Sequence, residues 1–344
     1  MTVPAVPEPM VAVVIPCHRV ARQILGVIRA IGPETARIYV VDDACPEQSG
    51  RLVEAQCRDP RVRVVYHGQN QGVGGAVLTG YRAALADGAT VMVKLDGDGQ
   101  HDPALIPALA QPILAGLADY TKGNRFFDLD GLAAMPSLRL FGNTVLSFVT
   151  KFSSGYWDIF DPTNGFTAIH AAVAARLPFE HIARRYFFES DLLFRLNTMR
   201  AVVLDIPMRA RYEDETSGLA PLRVVPRFMA GHVRNFAKRL GYTYFLRDFS
   251  MASVQLLLGI PLVAFGVLFG AVQWMEAERL GTSASAGTVM LAALPIILGF
   301  QFLLFFLSYD MQNVPRLPYH LRLGAAPAER RASFPRTGAG AGPG

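Results

Sequence analysis

The chain reads as an α/β protein in which a mostly parallel sheet is followed by two helices long enough to cross a membrane. Three observations predict this. Over residues 10–95, short apolar runs alternate with helical stretches, the pattern of a parallel sheet covered on both faces. Two acidic pairs, Asp42/Asp43 and Asp96/Asp98, stand at the carboxyl ends of such runs, where ligands of these sheets bind. Two uncharged runs, Met251–Val272 and Leu280–Tyr309, come near the C-terminus. Each can span hydrocarbon, which needs only about 20 helical residues.

Met10–Pro16 (MVAVVIP) is read as a central strand, followed by a helix over about Val20–Ala30. Arg37–Val41 is a second strand that ends at Asp42 and Asp43, Arg51–Arg58 a helix, and Val62–Tyr66 a third strand. The glycine-rich turn GQNQGVGGA then opens a helix that runs through Leu85, and Thr90–Leu95 is a fourth strand ending at Asp96. From Ala118 the pattern is more mixed. Strands are expected at Tyr120–Lys122, Phe166–Ile169 and Ala201–Ile206, with a helix over Glu189–Met199 before the last. Domain boundaries follow: 1–221 for the α/β domain, 222–248 for a juxtamembrane helical segment, 249–309 for two spans (about 249–273 and 286–309), and 310–344 for a tail. Beyond Ala325 that tail has little to bury and is expected to be disordered.

Charge is unevenly placed. The 344 residues carry a formal +5, yet residues 222–247 hold Arg223, Arg227, Arg234, Lys238, Arg239 and Arg247 with no acid. Apolar and aromatic residues are interleaved among them, as in a helix lying on anionic lipid. Nothing else supports nucleic-acid binding. Basic residues flank both spans, so the positive-inside rule places the α/β domain in the cytoplasm and the chain in the inner membrane as a multi-pass protein. The break between the spans, Gln273–Arg279, carries Glu276, Glu278 and Arg279 and suggests a helical hairpin. The N-terminus MTVPAVPEPM lacks a signal-peptide pattern, so insertion is expected to rely on these spans. Cys17, Cys45 and Cys57 have no metal-ligand spacing and read as small buried residues of a reducing compartment.

Two carboxylates in LDGDGQHDP, Asp96 and Asp98, can hold one hard divalent cation, Mg²⁺ or Mn²⁺, and leave positions open for phosphate oxygens. Gln100 and His101 could extend that set, although His101 also fits an ordinary turn. Gly72, Gly74 and Gly75 match neither a P-loop nor G-x-G-x-x-G. They read as a tight strand-to-helix turn whose backbone approaches a nucleotide sugar.

The segments VVIPCH (13–18), VVDDAC (40–45), NQGVGGAVLTGYRAAL (70–85), KLDGDGQHDP (94–103) and DPTNGFTAI (161–169) together resemble a family 2 glycosyltransferase of GT-A fold. The similarity is to the polyprenyl-phosphate, dolichyl-phosphate mannose synthase-like branch, and it extends to bacterial members with a C-terminal two-helix hairpin. The resemblance implies that Asp42, with Pro16 and Asp43 nearby, holds the donor nucleoside. It also implies that Asp96 and Asp98 form the metal–diphosphate motif, Asp98 more directly, followed by Gln100. It places Arg125, in GNRF, and Arg139 at phosphates, Asp161 near the reacting centre, and Glu189 or Asp191 at the sugar or acceptor. In 208–219 Gly218 replaces the family's lysine, so Ser217 stands without it, and Arg209 and Arg211 are the alternative sources of charge. No Q-x-x-R-W follows the D-x-D, which implies single-sugar transfer rather than polymer synthesis.

The implied reaction is inverting transfer from a UDP- or GDP-sugar to polyprenyl phosphate at a lipid bilayer. Transfer to a membrane lipid alcohol and a non-catalytic sugar-nucleotide-binding scaffold are the alternatives. A homo-oligomer is left open.

Overall fold

The computed structural model describes residues 9–127, 137–209 and 221–325. A seven-stranded sheet in the order β3-β2-β1-β4-β6-β5-β7 forms the centre. Its strands are β1 (Val11–Cys17), β2 (Arg37–Asp42), β3 (Val62–Tyr66), β4 (Val91–Lys94), β5 (Tyr120–Asn124), β6 (Thr167–His170) and β7 (Val203–Pro207). The first four are parallel, β6 runs antiparallel to both β4 and β5, and β7 returns parallel to β5.

Helices α1 (Ile24–Ala30), α2 (Ser49–Gln56), α3 (Val73–Ala86), α4 (Ile106–Leu114) and α7 (Phe188–Thr198) cover the sheet. Alternation along β1 sets the two cores. Ala12 and Val14 pack with Tyr39, Tyr81 and Leu192, whereas Val13, Ile15 and Cys17 pack with Ile24, Ile28 and Ile106. Two strands carry a buried cation: Lys94 of β4 and Lys122 of β5. Such a group has to be paired, and each is bonded at the carboxyl end of the sheet.

An 18-residue helix that the sequence reading did not anticipate, α5 (Ser137–Ser154), precedes β6. Its Phe141, Val145, Phe148 and Phe152 recur at helical spacing and are exposed. The four-residue α6 (Ala171–Ala174) follows β6. Basic α8 (Pro221–Gly241) packs beside α5 and likewise exposes Val225, Met229 and Val233. A π-helical turn, Tyr242–Arg247, joins α8 to the first long apolar helix, α9 (Met251–Leu280). The second, α10 (Ala286–Gln312), runs back against it, and both are long and apolar enough to cross a membrane.

The expected break at 273–279 is helix. Its residues are good helix formers, Arg279 pairs with Glu276 at 2.9 Å, and the helix ends only at Gly281, whose φ is 63°. At 1.5 Å per residue α9 is about 45 Å long, so its charged last turns can project beyond about 30 Å of hydrocarbon. Glycines let the two helices touch. A Cβ added at Gly266 would lie 2.6 Å from the Ala292 carbonyl oxygen, and one at Gly299 would lie 2.8 Å from the Val263 nitrogen.

After α10 the chain returns to the α/β domain. Arg200 donates to the Asn313 carbonyl at 2.7 Å, and the amides of Tyr319 and His320, opening α11 (Tyr319–Ala325), donate to buried Asp119 at 2.6 and 2.9 Å. This portion of the expected tail is therefore ordered and docked.

Candidate active site

The carboxyl ends of β1, β2 and β4 open into a cavity of about 350 Å³. Pro16, Cys17 and His18 contribute from β1 and its turn, Asp43 from the end of β2, and Asn70, Gly72 and Val73 from the glycine-rich turn. Asp96, Gly97 and Asp98 form another wall, with Arg185 and exposed Tyr186 facing it.

The acidic pair after β2 splits in function. Asp42 lies beneath the cavity, and its carboxylate accepts from the amides of Cys45 and Gly50, each at 2.7 Å. It thereby organises the turn that starts α2. Asp43 borders the cavity but accepts from the amides of Gln71 and Gly72 at 2.7 and 2.8 Å, and also contacts His67 Nδ1 at 2.7 Å. It fixes the glycine-rich turn to β2. At Gly72 φ is +86°, and an added Cβ would lie 2.6 Å from the Arg184 carbonyl oxygen, so both conformation and space exclude a side chain. Gly74 lies away from the cavity wall, against Phe188 and the Ala183 carbonyl.

The D-x-D turn rests on a buried cation. Lys94 Nζ lies 3.2 Å from Asp96 and 3.1 Å from Glu189. Burial opposes both charges, yet their attraction raises the Lys94 pKa and lowers that of Asp96, so both stay ionised. Asp98 Oδ1 accepts from the Gln100 amide at 3.0 Å, closing the turn. His101 stacks on Phe166 with centroids 5.1 Å apart, and its Nδ1 is buried without a hydrogen-bond partner, 3.8 Å from Asp96. Burial pushes its pKa down to about 4, so the ring is neutral near pH 7.

The DPTNGF loop passes directly over this turn. A Cβ at Gly165 would strike the Asp96 carboxylate and the Lys94 ammonium, so any side chain there would displace that pair. At the loop's other end, buried Asp161 grips Arg125 in a two-pronged pair, Nε–Oδ2 2.8 Å and Nη2–Oδ1 3.0 Å. Burial alone would raise the Asp161 pKa, but Arg125 holds it below the usual carboxylate range. Buried Lys122 donates to the backbone carbonyls of Asp161 and Asn164 and supports the loop from below. Burial lowers its pKa to about 8.

The structure thus brings Pro16, Asp43, Gly72, Asp96 and Asp98 to one cavity, with Gln100, Glu189, Asp161 and Arg125 around it. Asp191 does not join them. Its carboxylate accepts from the Ala183 amide, Arg195 and Asn235, at 2.9, 3.1 and 2.9 Å. Arg209 is exposed beyond β7. The Arg139 side chain, Arg211 and Ser217 lie outside the described residues. The sequence reading did not single out Lys94, Lys122 or Gly165. A lysine inside an apolar strand, as in TVMVKL, was the available signal for the first.

The sequence model for glycosyl transferase family 2 matches residues 12–177. The polyprenol monophosphomannose synthase of Mycolicibacterium smegmatis is 30% identical over 188 residues, covering 54% of this chain and 70% of that protein. The chain belongs to glycosyl transferase family 2. Another relative, the UDP-N-acetylglucosamine–dolichyl-phosphate N-acetylglucosaminyltransferase of Methanococcus voltae, is 26% identical over 221 residues, 60% of this chain and 88% of that protein. Among solved structures, the glucosyl-3-phosphoglycerate synthase of Mycobacterium tuberculosis, in complex with Mn²⁺, UDP and glucosyl-3-phosphoglycerate, superposes with a TM-score of 0.51. At 18% identity, covering 68% of this chain and 81% of that one, the likeness concerns the GT-A fold. As a family 2 member the chain is a glycosyltransferase, and its mixed sheet and helical hairpin agree with the expected architecture.

Proposed function

We propose that this glycosyltransferase moves a single sugar from a nucleotide-diphosphate-sugar to a polyprenyl phosphate at the membrane surface, inverting the anomeric centre. The observation that carries the reading is the crossing of two loops at one point. The D-x-D turn faces the cavity, and the DPTNGF loop, which bears Asp161 and through it holds Arg125 of the turn after β5, lies on it through Gly165. One relative named for a dolichyl-phosphate acceptor and one named for a polyprenol monophosphomannose product support the acceptor class.

The donor set fits a hard divalent cation, Mg²⁺ or Mn²⁺. Among the described residues no three side chains cluster as ligands, but two carboxylates with open positions for diphosphate oxygens and water suit such an ion. His101 Nδ1, buried and unpartnered beside Asp96, is a further oriented polar group there. Bound there, the ion would offset charge developing on the departing nucleoside diphosphate. Lys94 keeps Asp96 ionised and fixes Glu189 toward the sugar. Pro16, Asp43 and Gly72 shape the nucleoside end, and Asp42 acts through the turn it holds.

The acceptor phosphate is a dianion for much of the time near pH 7, its second pKa being about 6. It needs alignment and charge compensation more than a general base. Arg125 supplies a guanidinium with Asp161 as its orienting partner, and Arg139, Arg209, Arg211 and Ser217 are candidates for the same phosphate. The exposed apolar faces of α5 and α8 would rest in the headgroup layer and bring the cavity to the lipid. Return of the chain to the α/β domain after α10 supports a hairpin whose two ends share one face of the membrane, the cytoplasmic face by its basic flanks.

The test is product analysis with radiolabelled UDP- and GDP-sugars, polyprenyl phosphate and Mg²⁺ or Mn²⁺. Label recovered in a mild-acid-labile polyprenyl product is expected. A product stable to mild acid would assign transfer to a lipid alcohol, and no product with any donor would leave a sugar-nucleotide-binding scaffold.

A further inference from the structure

A second cavity, of about 570 Å³, lies where α7 ends against the junction of α8 and the π-helical turn. It is separate from the sugar site. Thr198 on its wall is nine residues beyond Glu189 on α7, about 14 Å along the helix axis. Its volume is that of a small-molecule site, roughly 300–1,000 Å³.

The lining is apolar with cations and no acid. Arg176, Arg195 and Lys238 contribute charge, and Phe194, Tyr242 and Leu246 contribute apolar surface. Arg195 is already held by Asp191. Among the described residues no ion pair joins Arg176 or Lys238 to a carboxylate. A fourth cation stands behind the wall. Arg247 lies 5.7 Å from the Tyr242 ring centroid, donates to the Thr198 carbonyl at 3.2 Å, and keeps a buried Nη2 without a hydrogen-bond partner. Such an orphaned donor is costly unless something accepts from it. Arg200, two residues past Thr198, has its pKa lowered by burial and by repulsion from Arg247 and Arg322, a further sign of unbalanced positive potential. Asp248 relieves part of it through an exposed pair with Arg247.

Location selects the source of the missing anion. Tyr242 and Leu246 are exposed on the rim, and the apolar helix α9 begins at Met251, one turn beyond Leu246. A ligand whose phosphate enters between Lys238 and Arg176 would lay its apolar part along Leu246 toward the hydrocarbon.

We propose that this cavity binds the phosphate headgroup of an anionic glycerophospholipid, as a site separate from the donor and acceptor cavity. The bound lipid supplies the countercharge the cluster lacks and pins the junction of α8 and α9 at headgroup level. The inference rests on the membrane-spanning reading of α9 and α10 and not on which sugar is transferred.

The test uses full-length protein in a neutral detergent, titrated with short-chain phosphatidylglycerol, short-chain phosphatidylcholine or glycerol 3-phosphate, with thermal unfolding as the readout. Phosphatidylglycerol is expected to stabilise saturably, and the other two are not. The double variant Arg176→Gln/Lys238→Gln should weaken that response by about twenty-fivefold, a factor of about five for each basic side chain near a lipid surface. Stabilisation by nucleoside diphosphate with Mg²⁺ should be unchanged, which shows that the variant is folded. Should the double variant not fold, Lys238→Gln alone is expected to weaken the response by about fivefold. Equal stabilisation by phosphatidylcholine, or an undiminished phosphatidylglycerol response in the variants, would overturn the proposal. So would an equal response to glycerol 3-phosphate, which would assign the cavity to a free phosphate.

Discussion

Replacing Lys94 with methionine tests whether one buried ammonium holds the two carboxylates at the end of β4. The side chain is 1% exposed and lies 3.2 Å from Asp96 and 3.1 Å from Glu189. Methionine preserves the unbranched stem, so the packing change is small, under about 1.5 kcal/mol. The electrostatic change dominates, because two carboxylates lose their shared countercharge and are left facing each other. Stranding one partner of a buried pair costs about 3–5 kcal/mol. Asp96 and Glu189 keep 27% and 13% of their side-chain surface, so water can enter. The lower end, about 3 kcal/mol, is therefore expected, a fall of roughly 6–12 °C in the unfolding midpoint of a domain this size. The pH dependence has a definite sign. In the wild type the Asp96 pKa is depressed, so its contribution is present above the unfolded value near about 3.9 and is lost as pH falls through the folded one. In the variant, burial without the ammonium raises that pKa, and protonation on acidification relieves the penalty. The second effect acts between pH 7 and pH 4 and shrinks the difference there, and the first follows only below about pH 4. Thermal unfolding of both proteins in detergent from pH 7 to pH 4 measures it, with nucleotide binding in Mg²⁺ as a second readout. An unchanged midpoint at pH 7, or a gap that widens in acid, would refute the reasoning.

Asp98→Ala is expected to lower transfer by at least about a hundredfold, from several kcal/mol of lost charge stabilisation at the leaving group, with the unfolding midpoint nearly unmoved. Wild-type turnover in this variant or in excess chelator would remove the metal assignment. Arg125→Ala should weaken use of the acceptor phosphate by about 1.5–3 kcal/mol and destabilise the fold, because Asp161 at 2% exposure loses its partner. Kinetics with a short-chain acceptor, compared with Arg125→Lys, separate the two effects. Asp310→Ala should cost about 3–5 kcal/mol by stranding buried Arg239, while donor binding measured by nucleotide titration survives. Cysteines placed in the Gly281–Ser285 turn should react with an impermeant reagent only from the membrane face opposite the α/β domain. Reaction from the domain's own side in sealed vesicles would exclude the hairpin.

Much of the sheet was legible because buried parallel strands are written as local apolar runs, and β1 to β4 fall within a residue or so of their expected limits. The acidic pairs at strand ends marked the cavity for the same reason: topology places strand ends where ligands bind. What a carboxylate does there is not local. Asp42 and Asp43 are adjacent in sequence, yet one is spent on the turn after β2 and the other on a turn nearly thirty residues away. Asp191 looked equivalent to Glu189, but the helix turns the two side chains apart, one toward Lys94 and the other toward α8. The α5 stripe at 141, 145, 148 and 152 is present in the sequence, but it faces solvent rather than the core, so it does not mark a buried element. No break falls at 273–279 because charge there is no turn signal: these residues favour helix, and the helix ends at Gly281.

The contacts that carry the chain from its membrane helices back to the sugar cavity run through two anchors. At one, Asp310 near the end of α10 accepts from Arg239 at 2.6 and 2.9 Å, from Tyr244, and from Trp157 at 3.0 Å. Trp157 stands four residues before Asp161, so the same carboxylate that fastens the hairpin also fixes the entry to the DPTNGF loop. A Cβ at Gly155 would meet Arg239 at 2.8 Å, so the chain gives way there for the guanidinium to pass. At the other anchor Asn235 of α8 holds Asp191, two residues from Glu189. Asp191 therefore acts at a distance: it ties the first turn of α7, and with it the Glu189 side chain, to the basic helix α8. The DPTNGF loop over the D-x-D turn is thus braced against α10, and the start of α7 against α8, rather than only against the sheet. With α9 and α10 in a bilayer, as proposed, orientation of the domain on it and geometry of the cavity would be one mechanical problem. The proposed lipid-confined acceptor would need that coupling, since its phosphate could approach from a single direction.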